Sequence, residues 1–139
     1  MKIITPQLFR FAVVISVLTI VFRFSLSHMI ENKSGYMILI IAILYFLGMF
    51  MSGFHFGKKD REYLPIYDVG FRFHFTTYFI YNGISELWFM LGLNSGYETI
   101  SVVHYTAIIW GGFILMHALF YIRAKRKSID NLDKRDLFE

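Results

Sequence analysis

The chain has 139 residues, of which 56% are hydrophobic and 19% aromatic, and its formal net charge is +4. This composition is too apolar for an ordinary soluble domain, and the apolar residues form blocks long enough to cross a bilayer. Because the sequence has no cysteine, disulfides, thiolate metal sites and cysteine nucleophiles are excluded. We therefore expect an all-α fold, a four-helix transmembrane bundle with short outer turns.

The first apolar block predicts a helix over residues 8–30. Pro6 lies just before it, where the missing N–H of proline costs a helix nothing. Thr19, Arg23 and Ser27 are spaced four residues apart and share one face of this helix. We expect that face to point into the bundle and the remaining Val, Ile, Leu and Phe residues to face lipid.

The second apolar block predicts a helix over residues 35–53 that has no charge and hardly any polar group. We expect a structural role for it, with Gly48 permitting close approach of a neighbouring helix. Residues 54–72 predict a longer cytoplasmic connection, in which basic and aromatic residues are mixed as in the headgroup zone of a membrane. Asp68 is expected to cap the start of the next helix.

The third apolar block, residues 73–93, carries Glu86 near its middle. An ionisable side chain at that depth is costly and needs a partner. At about 1.5 Å per residue, Glu86 and Arg23 lie about 4–6 Å beyond the centres of their helices, on the same side of the bilayer. The sequence therefore predicts an Arg23–Glu86 pair, which is either a structural clamp or an ion, proton or polar-ligand site. The predicted buried polar site consists of Thr19, Arg23, Ser27, Tyr78, Asn82, Ser85, Glu86 and His104.

The fourth apolar block predicts a helix over residues 100–122, with Gly111 and Gly112 at its centre allowing close backbone approach. We divide the chain into this transmembrane domain, residues 1–122, and a basic cytoplasmic tail, residues 123–139, which includes a short helix. Basic residues expected at the membrane surface, against anionic lipid headgroups, are Lys58, Lys59, Arg61, Arg123, Lys125, Arg126 and Lys127.

Basic residues are distributed unevenly between the two sides of the predicted bundle. Twelve of the fourteen lie in the first ten residues, the connection 54–72 and the tail, whereas the outer turns hold only Lys33. Since cytoplasmic segments of membrane proteins are enriched in Lys and Arg, this distribution predicts that both termini are cytoplasmic. We expect an integral protein of the bacterial inner (plasma) membrane.

The five histidines raise the question of a metal or haem site. His55, His74 and His117 are expected near the inner face, where three imidazoles at one level could bind a transition metal. No His-x-x-x-His or Glu-x-x-His pattern reinforces them. His104 and His117 share one helix, as in bis-histidine cytochromes b, but their spacing turns them about 140° apart. We expect no cofactor and no metal; a haem- or metal-binding redox protein stays an alternative.

No nucleophilic triad, phosphate-binding loop or spaced carboxylate pair is present in the sequence, so we expect no enzymatic activity. Short turns and the lack of a soluble domain favour a small subunit or accessory component of a membrane assembly. Its expected partners are the lipid bilayer and other membrane chains, in a homo- or hetero-oligomer, and not nucleic acid. The other alternative is a homo-oligomeric channel or carrier with a polar path at Arg23, Asn82 and Glu86.

Overall fold

The computed structural model describes residues 4–62 and 64–136, with side chains described through residue 127. The described residues form four α-helices, which are α1 (Pro6–Glu31), α2 (Gly35–Asp60), α3 (Ile66–Met90) and α4 (Ile100–Asp136). Short connections join them, and consecutive helices run antiparallel. The predicted all-α class is confirmed.

The first helix, α1, is the central one, and its buried face follows the helical period. Thr5 caps its start by accepting a hydrogen bond from the Leu8 N–H at 3.0 Å, and Pro6 occupies the first turn as predicted. Because they recur every three or four residues, the buried side chains form one stripe. They are Leu8, Phe11, Ile15, Thr19, Arg23 and Ser27. The stripe is apolar in its first half and polar in its second.

The other helices are arranged around α1 and α3, which lie side by side. α2 packs on α1 and more lightly on α3, while α4 packs on α3. Within the described residues, the backbone of α4 does not closely approach that of α1 or α2. We call the end of the bundle with the turns 32–34 and 91–99 the outer end, and the opposite end the inner end.

An apolar core fills the inner half of the bundle. The rings of Phe11 and Phe73 lie 4.5 Å apart between centroids, and Phe56 meets Phe11 edge-on at 6.4 Å. The buried members of this core are Leu8, Phe11, Ile15, Val69 and Phe73. Gly48 lies against Leu18, close enough that an added methyl group would stand 3.4 Å from it, as the predicted close approach of helices requires.

The outward faces of the helices are apolar as well. In α2 only Gly57 and Asp60 are fully buried, and large side chains such as Phe46 and Ile109 are exposed. α1, α2 and the segment Ile100–Lys127 are long and apolar enough to cross a membrane. α3 is 25 residues long but is not among these, because its tyrosines, threonines and other polar residues lower its mean hydropathy.

Helix boundaries differ from the prediction where a helix leaves its apolar block. α2 extends to Asp60 instead of residue 53, and α3 begins at Ile66 instead of residue 73. The predicted long connection over 54–72 is therefore wrong, since residues 61–65 join the two helices. Apolar composition marks what can lie in lipid, whereas a helix continues for as long as its backbone hydrogen bonds are made.

The start and end of α3 correct two further details. Pro65 stands at the N-cap, and Asp68 lies in the first turn, where its carboxylate accepts two hydrogen bonds of 2.8 Å from Arg72. Asp68 thus supports the helix by its charge near the N-terminus, not as a cap. α3 ends at Met90 rather than at residue 93. Gly92 follows with φ of 67°, a conformation that favours glycine after a helix.

The last helix, α4, continues into the predicted tail. It runs without a break from Ile100 to Asp136, so no helix end separates the predicted span 100–122 from the tail. The first five residues after Ile122 are all Lys, Arg or Ala, which favour helix. The side chains beyond residue 127, including those of Lys134 and Arg135, lie outside the described ones.

Candidate functional site

The outer half of the bundle holds a buried ion pair between Arg23 and Glu98. Arg23 Nη2 donates to Glu98 Oε2 at 2.8 Å, and the two side chains are 3% and 6% exposed. The Arg23 guanidinium also lies over the Phe89 ring, 5.5 Å from its centroid. Arg23 belongs to the polar half of the α1 stripe, and Glu98 to the turn between α3 and α4. The pair therefore fastens that turn to α1.

The predicted pair between Arg23 and Glu86 is wrong. The two residues have similar depths along their helices but do not face each other. Trp88 marks the side of α3 that faces α1, because its Nε1 donates to Ser27 Oγ at 3.0 Å. Glu86 lies about 160° away around the helix and faces α4, where its Oε1 is 3.0 Å from His104 Nε2.

The turn between α3 and α4 holds Glu98 in place. Glu98 Oε1 accepts from the Ser95 N–H at 3.1 Å, while the Glu98 N–H donates to the Ser95 carbonyl at 3.0 Å. The Ser95 hydroxyl donates to Glu31 at the end of α1, and Lys33 Nζ lies 5.2 Å from the ring centroid of Tyr97. We call this set the outer clasp: Arg23, Ser27, Glu31, Lys33, Trp88, Ser95, Tyr97 and Glu98.

A buried ion pair stabilises a fold only while both partners are present. Withdrawing a charge from water costs several kcal/mol per ion, which the attraction and hydrogen bonds of the pair offset. Removing one partner leaves an uncompensated charge, at a cost of about 3–5 kcal/mol. The Arg23–Glu98 pair is therefore expected to stabilise the fold as a unit, so that removing either side chain removes the whole contribution.

Further inward, hydroxyl groups replace charges. The hydroxyls of Thr19 and Tyr45 lie 2.9 Å apart. The Tyr81 ring contacts those of Tyr45 and Trp110, at centroid distances of 6.3 and 5.6 Å. The polar part of the bundle interior therefore reaches from the outer end to the middle of the helices, and it ends at Ile15, where the apolar core begins.

A second polar row follows the side of α3 that faces α4. Its members, spaced four residues apart, are His74, Tyr78, Asn82 and Glu86. The Tyr78 hydroxyl donates to the Ala107 carbonyl at 3.2 Å. It lies beside Gly111, where an added methyl group would stand 3.1 Å from the Tyr78 oxygen. The Glu86–His104 contact lies at the outer end of this row, where the two side chains are 40% and 54% exposed. The contact is an ion pair when His104 is protonated.

The predicted site residues thus separate into two groups. Thr19, Arg23 and Ser27 lie on the buried face of α1, and Ser85 is fully buried on α3. The other members, Tyr78, Asn82, Glu86 and His104, belong to the α3–α4 interface. Asn82 Nδ2 donates to the Tyr78 carbonyl at 2.8 Å, while its Oδ1 has no partner among the described residues. Arg23, Asn82 and Glu86 therefore do not line one common path.

A cavity of about 170 Å³ lies beside the buried ion pair, bordered by α1, α3 and α4. We call it the outer cavity. Its lining includes Arg23, Glu98, Tyr81, Thr106, Leu26 and Val102. Arg23 Nε has no hydrogen-bond partner within the part of the chain that the structure describes. The walls of the cavity are mostly apolar.

The inner end carries the residues predicted to contact the membrane surface. All seven are exposed: Lys58, Lys59, Arg61, Arg123, Lys125, Arg126 and Lys127. Two acids are buried at the same end. Asp60 accepts from the Thr5 hydroxyl at 2.6 Å, which ties the end of α2 to the start of α1, and Asp68 pairs with Arg72 on its own helix. The exposed basic residues therefore lie around the inner end, and the two acids buried there, Asp60 and Asp68, already have hydrogen-bond partners.

The histidines at the inner end do not gather at one point. His74 and His117 stack with ring centroids 5.1 Å apart and an interplanar angle of 24°, whereas His55 is exposed and meets Phe56 edge-on. Among the described residues, no group of three or more His, Asp or Glu side chains could hold a metal ion. Of the three histidines predicted at this depth, His74 and His117 form a stacked pair and His55 lies apart from them.

Glu98, Ser95 and Trp88 are absent from the predicted site. The sequence contained a usable signal for Glu98, because Glu31, Glu86 and Glu98 are three acids near the outer side, and each is a possible partner for a buried arginine. A long arginine side chain can extend toward the membrane surface, so an acid in the outer turn is reachable. The roles of Ser95 and Trp88 depend on side-chain directions that spacing along the chain does not give.

Compared with known proteins, the chain matches no family model, no curated protein and no solved structure. The functional conclusion therefore rests on the residues and geometry of the bundle.

Proposed function

We propose that the chain is a four-span protein of a bacterial plasma membrane, with both termini in the cytoplasm, and a non-enzymatic component of a larger membrane assembly. The position of α3 between α1 and α4 supports a fourth span, and its exposed residues include Phe75, Phe79 and Leu87. The exposed basic residues of the inner end support a cytoplasmic location for that end.

This proposal rests on the observation that charged side chains buried in the described bundle are paired with one another. Arg23 is paired with Glu98, and Asp68 with Arg72. A polar route through a single chain would have to cross the apolar core around Phe11. The bundle interior therefore favours a structural role, and the surfaces left for function are the outward faces of the helices.

A groove lined mainly by α2 and α3, with Trp110 of α4, is the surface that we propose for a partner chain. It has a volume of about 210 Å³, and its lining includes Phe46, Phe50, His74, Thr77 and Trp110. His74 places a polar ring in this mostly apolar groove. Lipid chains cannot hydrogen-bond to such a ring, whereas a polar residue of a neighbouring transmembrane helix can. A transmembrane helix of another chain is the occupant that we propose.

Site-directed photo-crosslinking in the native membrane tests this function. A photoreactive amino acid in place of Phe50, in the groove, should cross-link to one or a few protein chains. The same amino acid in place of Phe24, which is 67% exposed on α1 and outside the groove, should react mainly with lipid. Lipid adducts alone at both positions, with a monomeric mass in mild detergent, would overturn the proposal. Ion or solute flux in liposomes that contain this chain alone would favour the channel.

Reporter fusions test the proposed orientation. Fusions after Lys33 and Gly96, in the outer turns, should report an external location, while fusions near Lys59 and Lys127 should report a cytoplasmic one. A cytoplasmic signal at Lys33 would reverse the assignment of the two ends. Cytoplasmic signals at both Gly96 and Lys59 would instead remove α3 as a span.

A further inference from the structure

A further groove lies at the inner end of the bundle, and we call it the inner groove. It has a volume of about 380 Å³, more than twice the volume of about 150 Å³ that holds a benzene ring. Its apolar walls come from Ile4 and Leu8 of α1, Phe71 and Phe75 of α3, and Tyr121 of α4. Because Ile4 and Phe75 are 64% and 48% exposed, these walls can be reached from outside the bundle.

One ion pair lies in the wall of the inner groove. Asp68 and Arg72 both line it, and two hydrogen bonds of 2.8 Å join them. The Asp68 side chain is 4% exposed and that of Arg72 is 15% exposed. A ligand in the groove therefore meets more of the arginine than of the carboxylate.

A second positive charge stands at the edge of the groove. Lys125 follows Tyr121 by four residues, so both lie on one face of α4, and its ammonium is 6.0 Å from the centroid of the Tyr121 ring. Tyr121 in turn stacks on Phe71 with the ring centroids 5.1 Å apart. Lys125 is exposed and lies beyond the apolar block 100–122, where basic side chains meet lipid headgroups. The groove therefore has apolar walls and a cation at its headgroup end.

The charge at this end favours an anionic lipid over a zwitterionic one. Of the described acids at the inner end, Asp60 and Asp68 are buried and bonded, and Glu62 is exposed. The exposed basic residues outnumber them, so a phosphate is attracted and the ammonium of a zwitterionic headgroup is repelled. On the cytoplasmic side of membranes, basic pockets between transmembrane helices bind anionic headgroups. A soluble phosphate compound would leave the apolar walls uncovered, whereas an acyl chain covers them.

We propose that the inner groove binds one anionic phospholipid of the leaflet around the inner end, with its phosphate near Arg72 and Lys125. One of its acyl chains lies along the groove, against Phe71 and Phe75. Such a site differs from a diffuse attraction of basic residues to a charged membrane, because it holds a single lipid and depends on the shape of the groove. The inference rests on the proposed membrane location of the bundle and not on a partner chain, so failure of the assembly proposal leaves it standing.

Native mass spectrometry of the full chain in detergent micelles counts the bound lipids. Dioleoyl phosphatidylglycerol and dioleoyl phosphatidylcholine, which have the same acyl chains, are titrated separately. The first phosphatidylglycerol should bind about tenfold or more tightly than the first phosphatidylcholine, the factor expected from two basic groups close to one phosphate. The same spectra report the mass of any dimer of the chain.

Two pairs of variants locate the bound lipid. Thr76→Phe narrows the groove from its wall and should weaken the first site about tenfold or more. Thr106→Phe makes the same change in the outer half and should leave that site unchanged. Lys125→Gln removes the cation at the edge of the groove and should weaken binding about fivefold. Lys58→Gln removes an exposed cation of α2, which does not line the groove, and should have little effect.

The pair of lysine variants decides the matter even if Thr76→Phe fails to fold, because both lysines are exposed. The absence of a saturable first site for phosphatidylglycerol overturns the proposal. A first site that Thr76→Phe or Lys125→Gln leaves unchanged does so as well. Equal weakening by Lys125→Gln and Lys58→Gln would mean that the attraction is diffuse. A dimer that Thr76→Phe dissociates would assign the groove to a second copy of the chain instead.

Discussion

The inner and outer halves of the bundle are held together by different means. In the inner half, the α1 stripe carries Leu8, Phe11 and Ile15, which pack against α3 by shape alone. In the outer half, the same stripe carries Arg23 and Ser27, which make specific bonds to Glu98 and Trp88. In the proposed membrane setting, lipid tails are as apolar as the core, so the inner half would depend on close packing rather than on the hydrophobic effect.

The difference implies two ways of failing. An apolar contact weakens in proportion to the atoms removed, because many small attractions contribute to it. A buried ion pair is lost with either partner, and the remaining charge adds a cost of its own. The outer half should therefore respond sharply to single substitutions at the ion pair, and the inner half gradually.

The largest effect is expected at the ion pair of the outer half. Arg23→Leu or Glu98→Gln alone should lower the free energy of unfolding by about 3–5 kcal/mol, since each leaves one buried charge unpaired. The double variant should recover much of that loss, because no lone charge remains. The measurement is a double-mutant cycle of stability in detergent micelles.

Glu86→Gln is the matched control for this cycle. It changes the same kind of side chain in the outer half, but its partner His104 is more than half exposed, so the loss should stay within about 1 kcal/mol. If Glu86→Gln cost as much stability as Glu98→Gln and coupled to Arg23→Leu, the Arg23–Glu86 pair that the sequence predicts would be right. If the losses of stability from Arg23→Leu and Glu98→Gln were additive in the double variant, the Arg23–Glu98 contact itself would be contradicted.

The fold was largely predictable because apolar blocks and helical spacing carry it. Four helices, the buried face of α1 and the close approach at Gly48 all follow from residue periodicity and size. Helix ends were less predictable, as α2 and α3 show: Lys58 and Asp68 lie outside the apolar blocks but inside helices. Composition indicates which residues can lie in lipid and says little about where a helix stops.

The candidate site was only half predictable from the sequence. That Arg23 is buried and paired follows from its position in an apolar block. The identity of its partner depends on the direction of side chains around α3 and on a turn that folds back over α1. The depth of each residue along its helix cannot distinguish Glu86 from Glu98 as the partner of Arg23. Depth says nothing about rotation around the helix axis, and it does not account for the length of the arginine side chain.

A smaller effect is expected in the inner half. Phe11→Ala should lower stability by about 2–3 kcal/mol, less than the ~3–5 kcal/mol typical of a soluble core, because lipid supplies no hydrophobic effect. Phe9→Ala on the same helix is the control, since Phe9 is 64% exposed and should change stability little. Equal losses for the two variants would mean that the inner half is not held by packing at Phe11.

The smallest effect is expected at the α3–α4 contact, where Gly111 and its neighbour Gly112 form a matched pair. A methyl group on Gly111 would stand 3.1 Å from the Tyr78 oxygen, whereas nothing lies within 4 Å of the position on Gly112. Gly112→Ala should therefore stabilise the chain by up to ~1 kcal/mol through helix propensity. Gly111→Ala should instead lower stability by up to ~1 kcal/mol, because its methyl group displaces the Tyr78 hydroxyl from the Ala107 carbonyl.

Tyr78→Phe provides the control for this pair. It removes the crowded oxygen, so in that background the two alanine substitutions should have equal effects. A deficit of Gly111→Ala that persists with Tyr78→Phe would place its cause elsewhere than in the tyrosine contact.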